Sequence, residues 1–362
     1  MPSTKIVYYN QKGEGVGIYN QKPVYLPFSI LGEEVEFEVI QQKEKYYIGK
    51  VSKLIKASKN RNYNLPEGVE YIGGYELMHM NKEAEKEYKI YNIKNLFKGK
   101  IPVEQLENIE YFAGQKELRY RNKITLFDGG LKKKNTNEIY YLDDFLLSEI
   151  KPKTDKKGKI ILRQLDSLIV GKKSDNLFTT DTLGDFKFKV GIGSFYQVNK
   201  EVTLEAYNTI ISFIEQGDNV LDLYSGIGTI SAFASKKAKA VIGVEVNKSS
   251  FKNALENKEI NKLDNVEFVN ASVEKFLSQY KNTQNTTLIV DPDRTGLKKE
   301  VVDKIANLDF KRIIYLSCNP ATQVNDIAAL SKKYQIKFMK IFNMFPKTYH
   351  IENLVVLEKI NN

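Results

Sequence analysis

From Gly191 onward, short apolar runs alternate with segments of helical period, and this alternation limits the possible folds more than any other feature of the chain. A helical pattern over 201–214 leads into Asn219-Val220-Leu221-Asp222-Leu223. A helix then starts at Thr229, followed by Ala240-Val241-Ile242-Gly243-Val244-Glu245 and a helix over 249–260. The runs 266–269, 287–291 and 312–317 are each followed by helical pattern, and 354–358 supplies a late strand. Strands this apolar need cover on both faces, and strand–helix–strand repeats supply it. The expectation is an α/β fold with a parallel, doubly wound sheet, whose ligands bind beyond the carboxyl ends of the strands.

Upstream the period changes. Over 15–56 it is two: Glu34-Val35-Glu36-Phe37-Glu38-Val39 alternates strictly, and Tyr47-Ile48-Gly49-Lys50-Val51 comes after a polar turn. With Gly13, Gly15, Gly17 and Gly32 at the bends, this suits a five-stranded barrel of the oligonucleotide-binding type, or a barrel of that shape that binds nothing. The stretch 57–189 is mixed: a Lys/Glu-rich helical segment near 81–91, a strand at Lys123-Ile124-Thr125-Leu126-Phe127, and Lys-Gly punctuation over 151–159. Three units are expected: a barrel over 1–56, a central α+β unit over 57–189 and the doubly wound unit over 190–362. The basic runs Lys132-Lys133-Lys134 and 151–159 read as solvated loop tips and receive no catalytic residue.

The 362 residues suffice for two or three buried cores, and 42% hydrophobic with 28% charged residues excludes fibrous and disordered classes. No signal-type apolar segment opens the chain and no apolar run reaches about 18 residues, so the expected location is the cytoplasm, without a membrane partner. The net charge of +10 favours a polyanionic partner. Its 49 Lys against six Arg, with many Asn and Ile, equally fit compositional drift. A single cysteine, Cys318, excludes internal disulfides, zinc sites built on several thiolates and cysteine-held iron–sulfur clusters; no metal site is expected.

The turn Leu223-Tyr224-Ser225-Gly226-Ile227-Gly228-Thr229 joins the first strand to its helix. Gly226 and Gly228 would let the backbone approach a ligand, and Glu245 ends the next strand where a carboxylate can take both ribose hydroxyls. A dinucleotide fingerprint wants glycine at 231, where this chain has Ser231. A nucleoside cofactor without a diphosphate fits better, and S-adenosylmethionine is the commonest on such a fold. Asp291, in Leu288-Ile289-Val290-Asp291-Pro292-Asp293-Arg294, ends a later strand and reads either as a ligand contact or as a helix cap.

Cys318 comes directly after 312–317 and precedes Asn319-Pro320, which read as N-cap and first helical residue. The helix N-terminus is expected to lower the thiol pKa. Lone cysteines are most often buried small hydrophobes, but polar flanks at the carboxyl edge of the sheet favour a nucleophile. A thiolate beside a methyl donor suggests addition to C6 of uracil, methylation at C5 and removal of the C5 proton by a base. Glu352, just after the turn at Pro346, is the candidate base, with His350 as rival.

Five blocks occur in order: Ser194-Phe195-Tyr196-Gln197-Val198-Asn199, the turn over 221–229, the segment 291–297, Ser317-Cys318-Asn319-Pro320-Ala321-Thr322, and Met344-Phe345-Pro346 through His350-Ile351-Glu352. Together they resemble the S-adenosylmethionine-dependent RNA uracil-5-methyltransferases, over nearly the whole chain. The resemblance implies a Rossmann-like methyltransferase domain, with Cys318 as nucleophile and Glu352 as base. Gln197, Tyr224, Thr229, Glu245 and Asp291 become cofactor contacts, Asp291 also lies near the uracil, and Phe195 stacks on the flipped base. The barrel is similar to the RNA-binding TRAM module, and Arg119-Tyr120-Arg121-Asn122-Lys123 also looks like a family block. Two departures stand out. Asp293 replaces the usual second proline of Asp-Pro-Pro-Arg, and Ile72 and Tyr75 occupy the positions of cluster-binding cysteines, so no iron–sulfur cluster is expected. The substrate implied is RNA, with 23S ribosomal RNA ahead of transfer RNA, and no obligate protein partner is implied. Two other classes fit less well: a non-catalytic RNA-binding protein, against which Cys318 and Glu352 argue, and a nicotinamide oxidoreductase, disfavoured by Ser231.

Overall fold

The structure, a computed structural model, describes residues 1–281, 283 and 285–360. At the amino terminus six strands pair in the order Ser3–Lys5, Glu34–Gln42, Tyr47–Lys56, Lys22–Leu26, Gly15–Tyr19, Tyr8–Tyr9. The sheet curls shut where the Thr4 hydroxyl bonds both the N–H and the carbonyl of Ile18, each at 3.1 Å. Gly17 allows that approach, because a Cβ there would lie 2.3 Å from the Thr4 methyl. Alternate residues Val35 and Phe37 turn inward with Ile6, Val24, Leu26 and Tyr47, as the period of two requires. Arg61 fastens the barrel to the next segment, its guanidinium reaching Glu33 through Nε (2.8 Å) and Nη2 (2.6 Å).

Beyond the barrel, eight strands form the main sheet in the order Val266–Val269, Ala240–Val244, Asn219–Leu223, Thr286–Val290, Arg312–Ser317, Glu352–Lys359, Tyr334–Phe342, Ile109–Phe112. The first five are parallel, as expected. Glu352–Lys359 runs antiparallel to both its neighbours, so the sheet is mixed rather than wholly parallel. The reason is chain length: the connection 343–351 is shorter than the dozen or so residues a crossover needs, and it closes a hairpin instead. Successive strand residues feed opposite cores. Leu288 and Val290 pack with helices Val273–Gln279, Lys299–Leu308 and Pro320–Leu330. Ile289 packs on the other face with Lys200–Ser212, Thr229–Ala234 and Lys248–Asn261.

Residues 82–112, inside the stretch read as central, join the main sheet on the face of Leu288 and Val290. The helix Lys82–Phe97, N-capped by Asn81, buries Ile93 and Phe97 in the core of Leu288 and Val290, and Ile109–Phe112 extends the sheet edge. Of the remaining central residues, Leu168–Gly171, Lys159–Gln164 and Lys123–Phe127 form a three-stranded sheet over a separate core, whereas the hairpin of Phe178–Leu183 and Phe186–Gly191 packs Leu183, Phe186, Phe188 and Val190 into the core of Ile289. Ile72 and Tyr75 are fully buried in that core. Tyr75 stacks on Phe145 with centroids 5.4 Å apart, and its hydroxyl accepts from Leu146 N at 2.8 Å.

Candidate active site at the strand ends

Register alone aligns most of the candidate residues. Leu223 pairs with both Val244 and Val290, so Tyr224, Glu245 and Asp291 are each the first residue past the carboxyl end of neighbouring parallel strands. On the next strand Ser317 pairs antiparallel with Asn353, which sets Cys318 and Glu352 beside one another although 34 positions separate them. Gln323 bolts this junction, donating to Tyr315 O (2.9 Å) and Asn353 O (3.2 Å) and accepting from Asn353 Nδ2 (2.8 Å). As the local sequence requires, Asn319 caps the helix that begins at Pro320, and its N–H binds Ser317 Oγ at 3.1 Å across the Cys318 turn.

The cofactor end is built on the turn 224–228. Tyr224 and Gly226 both adopt positive φ, 66° and 57°, and a Cβ on Gly226 would meet nothing within 4 Å, leaving an open cradle. Gly228 has a different role from the one expected. A Cβ there would lie 2.5 Å from Phe268 Cζ, so the glycine makes room for that ring. Glu245 holds the turn by accepting from Gly226 N (3.0 Å) and Asn247 N (2.5 Å); burial raises its pKa against those bonds. Ser225 Oγ is buried without a hydrogen-bond partner. Thr229 is buried, its hydroxyl 3.1 Å from that of Tyr207. The side chain of Gln197 is buried on the loop that carries Phe195, and the Phe195 ring is 69% exposed at the rim. Ser231, read as a missing glycine, has its own function: its hydroxyl donates to Asp222 Oδ2 at 2.6 Å beneath the turn. The cradle open at Gly226, the Glu245 carboxylate beside it and the unsatisfied Ser225 hydroxyl fit S-adenosylmethionine, which Gln197, Tyr224, Thr229, Glu245 and Asp291 would hold.

The electrostatics correct one expectation. The Cys318 thiol is pushed up to about 12, not down, by burial first and then by Glu352 and Asp291; Arg294, which hydrogen-bonds the sulfur, opposes them. The helix N-terminus is outweighed because Cys318 precedes the cap while two carboxylates face the sulfur. Burial and then Asp291 raise Glu352 well above the usual carboxylate range, with Arg294 opposing. Asp291 itself is raised to about 7 by burial and by Asp222. Glu352 is 1% exposed, and its Oε1 has no partner. The rival base His350 is pushed down to about 3 by burial, Arg294 and Arg121, which makes it a weak proton acceptor.

Two residues of the site have only faint sequence signals. Arg294 is the cation facing both Cys318 and Glu352, and its carbonyl is held by Asn319 Nδ2 at 2.7 Å. Asp293, the departure from proline, accepts from the N–H and the hydroxyl of Thr295, so its carboxylate fixes the loop that a ring would otherwise stiffen. The 343–351 loop leading to Glu352 is clamped by the helix Lys82–Phe97. Glu85 accepts from Lys347 N and Asn343 Nδ2, each at 3.0 Å, and Lys89 reaches Asn343 Oδ1 at 2.5 Å.

A family model described as tRNA (uracil-5-)-methyltransferase matches residues 174–360. The chain belongs to this family. An uncharacterised RNA methyltransferase of Mycoplasma mobile is 45% identical over 99% of this chain and 98% of its own length. One from Staphylococcus aureus is 28% identical over 97% of this chain and 96% of its own. The fold matches that of the Pyrococcus abyssi tRNA (uracil-54, C5)-methyltransferase crystallised with S-adenosyl-L-homocysteine, with a TM-score of 0.78 at 22% identity, over 98% of this chain and 100% of that one.

Proposed function

We propose that this chain forms 5-methyluridine in RNA, with S-adenosylmethionine as methyl donor, Cys318 as nucleophile and Glu352 as base. The observation that carries the reading is the strand register that makes Cys318 and Glu352 neighbours, with Arg294 and Asp291 against them. Cys318 Sγ bonds to uracil C6, its proton passing to Asp291, whose raised pKa suits it to accept, so that Glu352 stays ionised for the later step. The electron pair moves to C5 and O4. Bound S-adenosylmethionine supplies the methyl group that C5 accepts. Glu352 then takes the C5 proton, the C5–C6 double bond re-forms, and the C6–S bond breaks to release Cys318. Arg294 favours the sulfur anion at both ends of the sequence. Phe195 offers a stacking surface for the extruded base, whose loss of stacking costs a few kcal/mol.

The amino-terminal barrel supports a role in holding RNA, and 23S ribosomal RNA is the substrate that the sequence puts first. One observation favours transfer RNA. The Pyrococcus abyssi enzyme, named for a tRNA uridine, aligns over its whole length and 98% of this chain, the barrel included. The barrel therefore does not separate the two substrates. No described helix is long and apolar enough to cross a membrane, and an RNA substrate agrees with work in the cytoplasm. The test is labelled methyl transfer to unmodified 23S and transfer RNA, with mass mapping of the product. Label at C5 of a uridine, lost in Cys318→Ala, is expected; label elsewhere, or transfer that survives in Cys318→Ala, overturns the proposal.

A further inference from the structure

Beside the active site lies a cavity of about 390 Å³, lined in part by Arg121, Asn122, Gln164, Asn199 and Lys200. It adjoins the reaction centre on two sides. Asn122 Nδ2 donates to Gln197 O at 3.0 Å, and the Tyr120 hydroxyl donates to Pro346 O at 3.1 Å, on the loop leading to Glu352. The block 119–123 that forms this wall has no part in the chemistry described above.

Three groups in the cavity are incomplete. Asn199 is 3% exposed; its Oδ1 caps Val202 N, and its Nδ2 donor is buried without a partner. Asn122 has spent its donor on Gln197, and its Oδ1 acceptor is buried without a partner. The Arg121 guanidinium forms no ion pair among the described residues. Its Nε donates only to the Tyr120 hydroxyl (3.3 Å), and it lies 5.9 Å from the Phe345 ring centroid. Native structures leave few buried polar atoms unpaired, so one missing donor and one missing acceptor beside a free cation mark a place that a ligand completes. Asn122 N donates to Val198 O at 3.2 Å, one residue before Asn199, which brings the two asparagines together.

We infer that this cavity holds a nucleotide flanking the target uridine in the same RNA strand, with its phosphate on Arg121 and its ribose 2′-hydroxyl between Asn122 and Asn199. The inference rests on the RNA reading above and deepens it. A 2′-hydroxyl both donates and accepts, which matches an orphaned Oδ1 and an orphaned Nδ2, and is the group by which a protein separates RNA from DNA. A planar guanidinium suits a phosphate by paired hydrogen bonds.

The experiment uses the full-length enzyme, an RNA that it methylates, and copies of that RNA with a single 2′-deoxy nucleotide on either side of the target. Arg121→Gln is expected to raise the KM for RNA by about tenfold with kcat within about twofold, and to flatten the slope of log affinity against log salt by about 0.7. One flanking 2′-deoxy substitution is expected to weaken binding to the wild type several-fold. It should have no further effect in Asn199→Asp, which keeps the oxygen that caps Val202 N. An unchanged KM and salt slope in Arg121→Gln, or 2′-deoxy effects equal in wild type and Asn199→Asp, would overturn the inference. Should Arg121→Gln melt early, the Asn199→Asp comparison alone decides. A wild type that methylates no RNA sinks the proposed function, whereas salt-dependent RNA binding that still requires Arg121 would sustain the cavity.

Discussion

Glu352→Gln separates the two halves of the proposed reaction. The substitution preserves the volume of a side chain that is 1% exposed and whose Oε1 has no partner, so the fold is expected to persist. Its effect on the first half derives from the causes of the thiol shift. A thiol at about 12 leaves only about one part in 10⁴ as thiolate at pH 8, whereas one at its ordinary value would leave about one part in ten. Burial is the largest cause and Glu352 the second, so removing the carboxylate recovers part of that gap, at tenfold per unit. Alkylation of Cys318 by iodoacetamide at pH 8 should therefore be faster than in the wild type. The second half loses its base, which is worth about 10² to 10⁴ in rate, so turnover should fall by that factor. Cys318 can still add to the ring and C5 can still be methylated, but the sulfur cannot leave while the C5 proton remains. Protein covalently joined to RNA should accumulate and appear as a slow band on a denaturing gel. Turnover within about tenfold of the wild type would refute the base assignment, and alkylation slower than in the wild type would refute the electrostatic account.

Three further outcomes are expected. Because the reacting groups must be deprotonated and Asp291, Glu352 and Cys318 are all raised, kcat/KM for RNA should climb from pH 6 to 8.5; a profile already level above pH 5.5 would contradict this. Burial raises Asp222 to about 7, against its bonds from Ser231. The native state thus holds a proton there that the unfolded chain releases near pH 4, and that stability is lost as pH rises through 7; between pH 4.5 and 7.5 the Tm of the wild type should fall more than that of Asp222→Asn. Tyr75→Ala removes a fully buried ring and the acceptor of Leu146 N, and should cost about 3–5 kcal/mol, whereas Tyr75→Phe, leaving only the N–H unpaired, should cost about 1–3; indistinguishable denaturant midpoints would show that the ring does not support this core.

Much of the site can be read from local pattern. Tyr224, Glu245 and Asp291 are legible because each ends an apolar run, and parallel strands deliver such residues to one edge. Asn319 and Pro320 announce a helix start, and the structure has one there. Glu352 has a weaker signal, its place between the Pro346 turn and a strand, which makes it a candidate base beside His350 until the resemblance singles it out. Arg294 sits in a loop with no periodicity, and its proximity to Cys318 comes from the packing of two strand ends. The segment near 81–91 reads only as a Lys/Glu-rich helix, yet in the helix Lys82–Phe97 Ile93 and Phe97 enter the main core, and Glu85 and Lys89 are buried against the loop that leads to Glu352.

The amino-acid sequence by itself determined the elements, their order and which residues stand at their ends, because hydrogen-bonded helices and strands answer to near neighbours and to the period of apolar side chains. Only the tertiary structure decided the antiparallel turn of the last strands, the meeting of Cys318 with Glu352, and the sign of the thiol shift. Those depend on register and on charge brought together in a poorly solvated space. Electrostatic energy there depends on distance between atoms, which separation along the chain does not encode.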